Sequence, residues 1–222
     1  MEKHLGSKAL LKALILLSTL YAVVMLAHWP IGFTLFTQQS NLFVAAVVAA
    51  QLVAPRRPGL GAVKFTATVS ITVTFLVYLL VLAPIQPGGI WAAYAEDHCA
   101  SLCLHFITPL LTLADFLMND APGHAWPRRW AVYGVIPPVI YFGFVLILGG
   151  LGFRWWGMAG PYMFLNYEAP AGWFGFAPQS VGARSLGIGV FYVVIAMIGL
   201  FLVLGAALLK LARRRSQASP RE

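Results

Sequence analysis

The stretch Phe65 to Ala83 reads FTATVSITVTFLVYLLVLA. In its first half Thr66, Thr68, Ser70, Thr72 and Thr74 alternate with apolar residues at a period of two, which by itself is the pattern of a strand. The run then continues through Phe75 to Ala83 without a break. An isolated strand cannot cross a bilayer, because its unpaired peptide groups find no partner in hydrocarbon. A helix satisfies its own backbone, and its hydroxyls bond carbonyls of the preceding turn. The stretch therefore predicts a membrane-spanning helix, with no chemistry attached to its hydroxyls.

Composition extends that reading to the whole chain. Of 222 residues 60% are hydrophobic and 10% charged, against roughly 25% charged in an average soluble domain. A soluble globule and a disordered chain are both excluded. At ~20 residues per span, there is material for about six spanning helices. Six long apolar runs follow, over about 9–27, 35–54, 65–83, 99–118, 130–149 and 186–209. Turn residues close four of them: Pro55 and Pro58, Pro84 and Pro87, Pro122 and Pro127, and Gly149, Gly150 and Gly152. The expected fold is all-α, a single polytopic bundle of six transmembrane helices over residues 1–222, with no internal repeat. The first run is kept as a helix, since it is longer than the apolar part of a secretory leader.

The net charge of +8 does not point to nucleic acid, which needs a basic face on a water-soluble fold. Thirteen of the 15 Lys and Arg gather in four places: Lys3, Lys8 and Lys12 at the head of the chain; Arg56, Arg57 and Lys64; Arg128 and Arg129; and Lys210, Arg213, Arg214, Arg215 and Arg221. Only Arg154 and Arg184 fall on the other side of the alternation. The positive-inside rule then puts both termini in the cytoplasm. Loops 28–34, 84–98 and 150–185 lie outside, and the C-terminal basic cluster acts as a stop-transfer signal and anchor to anionic lipid. The loop 150–185 is unusually aromatic, with nine aromatics between Phe153 and Phe176, Trp155, Trp156, Tyr162, Tyr167 and Trp173 among them. Two readings fit, an aromatic belt at the membrane interface or a re-entrant cap over a lipid-accessible cavity.

Polar residues inside spans carry the functional signal, because each needs a partner or a cavity. In the fourth run His98, Ser101, His105, Thr108, Thr112 and Asp115 are spaced three, four, three, four and three apart, which keeps them on one helical face. Asp115, ~15 Å from His105 along the axis, is expected to pair with Arg128 or Arg129, with a carboxylate on a proton pathway as the alternative. The second run opens with Thr34, Thr37, Gln38, Gln39, Ser40 and Asn41, at the same membrane depth as His105. Thr37, Gln38 and Asn41 share a face. The alternative for this cluster is a hydrated helix start. A Thr with a His base has the residue types of acyl transfer, and Gln38, Asn41 or Ser40 can supply donors to an oxyanion. Glu96, Asp97 and Glu168 are outer-side carboxylates, with no spacing that selects one as a third member.

Rival readings remain. His28, Asp97, His98 and His105 are metal-ligand types, but no paired-His motif joins them, and neither metal nor cofactor is expected. A lipid-binding protein without turnover and a small transporter also fit, the latter weakened by the lack of a midplane charged pair or an inverted repeat. Cys99 and Cys103, four apart, form no redox or zinc motif.

The segments Phe36 to Leu42, His105 to Pro109 leading to Asp115 and Phe116, Pro137 to Tyr141, and Pro161 to Leu165 together resemble bacterial six-helix relatives of the androgen-induced gene and androgen-dependent TFPI-regulating proteins. The resemblance covers about residues 33 to 180. It implies a membrane threonine hydrolase of lipid esters, fatty acid esters of hydroxy fatty acids among them, in a bacterial cell membrane. It places the nucleophile at Thr37, with Ser40 and Thr34 as alternative hydroxyls, and the His at His105. The implied partners are membrane lipids and a lipid ester substrate, with the oligomeric state left open.

Overall fold

The computed structural model describes residues 2–55, 57–122, 125–182 and 184–218, without the side chains of residues 2–8. Arg56, Arg221 and the side chains of Lys3 and Lys8, all used above for orientation, lie outside this set. The described chain is helical, without strands beyond three isolated bridges. The helices are α1 (Glu2–Met25), α2 (Phe36–Val53), α3 (Leu60–Ile85), α4 (Gly89–Asp120), α5 (Trp130–Gly150) and α6 (Val190–Ala218). Helices α2 to α6 are long and apolar enough to cross a membrane; the apolar part of α1, Ala9–Met25, is shorter than that mark. The sixth helix starts and ends later than its apolar run, so Lys210 to Arg215 are helical.

Two compact units are present, one of Met1–Gly134 with Val203–Glu222, the other of Val135–Leu202. In the first unit polarity is inverted relative to a soluble protein. Thr37, Gln38, Ser40, Asn41, Thr68, Ser70, Ser101, Thr108 and Thr112 are buried, whereas Leu17, Leu20, Val24, Leu80 and Met118 are exposed. Apolar side chains gain nothing by leaving lipid for protein, so packing and interhelical hydrogen bonds hold such a bundle together. Ile15, Val44, Val47, Val48, Ala67 and Ile71 form one packed cluster. Thr108 Oγ1 donates to Ser18 Oγ at 2.9 Å, tying α4 to α1.

The alternating hydroxyls of α3 behave as a helix requires. Thr66, Thr68, Ser70, Thr72 and Thr74 each donate to the carbonyl four residues earlier, at 2.7–3.1 Å. Three wide π turns interrupt α3 and α4, at Tyr78–Leu82, Cys103–Ile107 and Phe116–Asp120. Each ends two residues before a proline: Pro84, Pro109 and Pro122. Proline has no N–H for the carbonyl four residues back, and its ring collides with that carbonyl. The chain widens instead: Ala83, Thr108 and Ala121 donate to the carbonyls of Tyr78, Cys103 and Phe116, five residues back.

Helix α4 is broken in its N-terminal half. Asp97, His98 and Cys99 have φ of 51°, 56° and 65°, left-handed conformations that cost ~1–2 kcal/mol per residue for a side chain with a Cβ. The helical period does not pass through such a reversal. His98, expected on the face of His105, is therefore exposed on the far side of the break, and its carbonyl accepts from Tyr21 Oη at 2.6 Å.

In the second unit the aromatic loop has a core of its own. Trp155, Met158, Ala159, Phe164, Leu165 and Ala171 are buried. Asn166 crosses the loop, accepting from Ala159 N at 3.3 Å and donating to the Arg184 carbonyl at 3.0 Å. Phe174, Phe176, Phe191 and Tyr192 stay exposed, with Phe176 stacked on Tyr192 and Phe174 against Phe191.

Candidate functional site

A short 3₁₀ turn, Pro30–Thr34, precedes helix α2, whose first turns carry the polar cluster into the interior. Thr37, Gln38, Ser40 and Asn41 are all buried. The three candidate hydroxyls differ in what they already hold. Thr34 Oγ1 donates to the Ile31 carbonyl at 2.6 Å. Ser40 Oγ lies 3.0 Å from both the Thr37 carbonyl and Thr74 Oγ1. The Thr37 hydroxyl alone makes no hydrogen bond among the described residues.

His105 sits in the middle of the second π turn, which Pro109 imposes. Its ring lies on Tyr78, centroids 3.5 Å apart and planes 12° from parallel. Tyr78 belongs to the first π turn, so two proline-driven turns meet face to face. The His105 Nδ1 is 3.0 Å from the Ser101 carbonyl and 3.3 Å from Ser101 Oγ. A carbonyl only accepts, so Nδ1 carries the hydrogen and the lone pair is on Nε2. Tyr78 Oη in turn donates to the Ala93 carbonyl at 3.0 Å, which leaves the Ser101 hydroxyl, 2.8 Å away, to donate to Tyr78. The group on Nδ1 is thus a backbone carbonyl, and no carboxylate bonds His105 among the described residues.

Asn41 joins the two clusters. Its Nδ2 donates to the Thr37 carbonyl at 2.8 Å and to the Leu104 carbonyl at 3.1 Å. The α2 turn bearing Thr37 is thereby tied to the residue before His105. Both amide hydrogens are used, so Asn41 as it stands has none for an oxyanion. Its Oδ1 and the Oε1 of Gln38 are buried with no hydrogen-bond partner among the described residues. Gln38 has the amide that can turn toward a bound group, its Nε2 lying close beside Gly32.

A second polar centre lies further along α4. Asp115 Oδ2 is 2.8 Å from Lys12 Nζ and 2.7 Å from Lys64 Nζ, and Lys64 and Asp115 are fully buried. Lys12 Nζ also donates to Gln51 Oε1 at 2.8 Å, and Gln51 Nε2 to Asp120 Oδ1 at 3.0 Å. Both ammonium groups lie 3.7 Å from Asp120, and Asn119 donates to Asp115 Oδ1 at 2.8 Å. Four helices thus close a ring of two cations and two anions.

The ring corrects one expectation. Asp115 pairs with Lys12 and Lys64 rather than with Arg128 or Arg129, because α3 starts at Leu60 and carries Lys64 inward, whereas both arginines follow the end of α4. Lys64 was legible only as a loop charge, since it lies one residue outside the apolar run that begins at Phe65. Tyr78 carried no sequence signal beyond its place in an apolar run. Among the described residues no group of three or more His, Cys, Asp or Glu is arranged to hold a metal ion.

Comparison with family models, with curated proteins and with solved structures gives no match to this chain.

Proposed function

We propose that this chain is an integral membrane hydrolase of lipid esters in which Thr37 is the nucleophile and His105 its general base. The observation that carries the reading is the bond from His105 Nδ1 to the Ser101 carbonyl, which fixes the tautomer with a basic Nε2, and it is supported by the Asn41 amide, which bonds the carbonyls of both Thr37 and Leu104, the residue before His105. In the scheme, Nε2 takes the Thr37 proton as Oγ1 attacks the ester carbonyl carbon. The oxyanion that forms accepts from the Gln38 amide. Collapse expels the alcohol, which leaves with the proton from Nε2, and the acyl group stays on Thr37. Water, activated by the same nitrogen, then releases the fatty acid and restores the hydroxyl.

The substrate class, fatty acid esters of hydroxy fatty acids and similar lipid esters, comes from the family resemblance. With both termini in the cytoplasm of a bacterial cell, as the spread of Lys and Arg favours, the site stands toward the outer leaflet. The test is turnover of a panel of such esters by purified protein and by Thr37→Ala, Ser40→Ala, His105→Gln and Gln38→Ala. Loss with Thr37→Ala and His105→Gln, but not with Ser40→Ala, is the result expected.

Lipid binding without turnover is the second reading. It is favoured by the backbone carbonyl on Nδ1 where hydrolytic triads carry a carboxylate. Intact lipid recovered from the purified protein, with no hydrolysis across the panel, would establish it.

A further inference from the structure

We infer that a groove between the start of α5 and the C-terminal part of α6 is a binding site for the headgroup of an anionic phospholipid. The groove has a volume of about 380 Å³ and is lined by Arg128, Ala131, Ala206, Leu209, Lys210, Arg213 and Arg214. On α6 the lining positions 206, 209, 210, 213 and 214 follow the i, i+3, i+4, i+7, i+8 pattern of a single face. Close approach of the two helices depends on Gly205, where a Cβ would stand 2.7 Å from the Ala131 carbonyl.

Charge and polarity along that face match one kind of molecule. Val203, seven residues or ~10 Å before Lys210, is exposed and apolar, and Ala206 and Leu209 continue the apolar wall. Beyond them the wall turns basic, with three cationic groups from α6 and one from Arg128. Among the described residues none of these four forms an ion pair with a carboxylate. Arg213 is fixed in place, its Nε and Nη2 both donating to the Trp126 carbonyl. Trp126 is itself buried against Phe65, Phe116 and Trp130. A phosphate with acyl chains attached fits a basic end continuous with an apolar wall, and a free anion uses only the basic end. Neighbouring Arg129 and Arg215 are equally charged but do not line the groove, which separates a defined site from a diffuse electrostatic anchor.

The experiment titrates full-length protein in neutral detergent with dioctanoyl phosphatidylglycerol, dioctanoyl phosphatidylcholine and glycerol phosphate, reading tryptophan fluorescence. The site requires the phosphatidylglycerol to bind at least about tenfold more tightly than the phosphatidylcholine. It also requires Arg128→Gln with Lys210→Gln and Arg214→Gln to abolish that preference, and Arg129→Gln with Arg215→Gln to preserve it. All five residues are exposed, and an unchanged melting temperature checks that each variant is folded. Equal loss in the two sets would overturn the site in favour of a diffuse anchor. Glycerol phosphate binding as tightly as the lipid would overturn the lipid as occupant, and no preference between the two lipids would overturn the proposal outright.

Discussion

The His105 ring lies on the Tyr78 ring, centroids 3.5 Å apart, and each residue belongs to a π turn that a proline two residues beyond it imposes. The Tyr78 hydroxyl meets the Ala93 carbonyl and the Ser101 hydroxyl, and Ser101 also holds His105 Nδ1 through its carbonyl. Tyr78→Phe keeps the stack and removes those bonds, so a loss of about 1 kcal/mol is expected. Tyr78→Leu removes the stack as well and should cost more stability. Thermal unfolding in detergent of the two variants checks the order.

Pro109 supports the ring differently. Proline inside a helix costs ~3 kcal/mol, so Pro109→Ala restores an ordinary turn at little or no cost in stability. That turn also rotates His105 away from Tyr78 and Ser101. The expected outcome is a melting temperature equal to or above that of the parent, together with lost ester turnover.

The buried ring of charges predicts a strong asymmetry between single and double replacements. Asp115→Asn leaves Lys12 and Lys64 facing each other with Asp120 as their one carboxylate, and removing one partner of a buried pair costs about 3–5 kcal/mol. Lys64→Met with Asp115→Leu removes a complete pair and should recover much of that loss. A double-mutant cycle on unfolding in detergent measures the coupling.

Asn166 is the cross-brace of the aromatic loop, through its bonds to Ala159 and Arg184. Asn166→Ala strands a buried backbone donor, at about 1–3 kcal/mol, and should open residues 151–189 to limited proteolysis. Arg154 and Glu168 form an exposed pair at 2.8 Å, and exposed pairs contribute about 0–1 kcal/mol. Glu168→Gln is expected to leave the cleavage rate unchanged, which separates a brace from a surface contact.

Much of the architecture is visible in the sequence because lipid imposes length and hydropathy on every span. Phe65 to Ala83 was readable as a helix despite its period of two, since hydrocarbon forbids the alternative. The prolines were legible as punctuation, but not the widened turns they force, because the same residue type ends a helix or is absorbed by an i→i−5 bond. The reversal at Asp97 to Cys99 contains no glycine, so nothing in its composition announces a left-handed backbone. Lys12 reads as a charge at the head of the chain and Lys64 as a loop charge, because hydropathy windows do not see long-range partners, and the nearest basic residues to Asp115 in sequence are not those nearest in space. Thr37, Gln38, Asn41 and His105 stand out in the sequence as polar groups within spans, whereas the engagement of the Asn41 amide by two carbonyls depends on helix packing that the sequence does not show.

Covalent trapping decides whether Thr37 is an acylated nucleophile activated by His105. Purified protein is treated with a fluorophosphonate, digested, and the modified residue located by mass spectrometry. A single adduct on Thr37 Oγ1 is expected, forming in the parent and failing to form in His105→Gln. An adduct on Ser40 or Thr34, or labelling of Thr37 that is unchanged in His105→Gln, would contradict it.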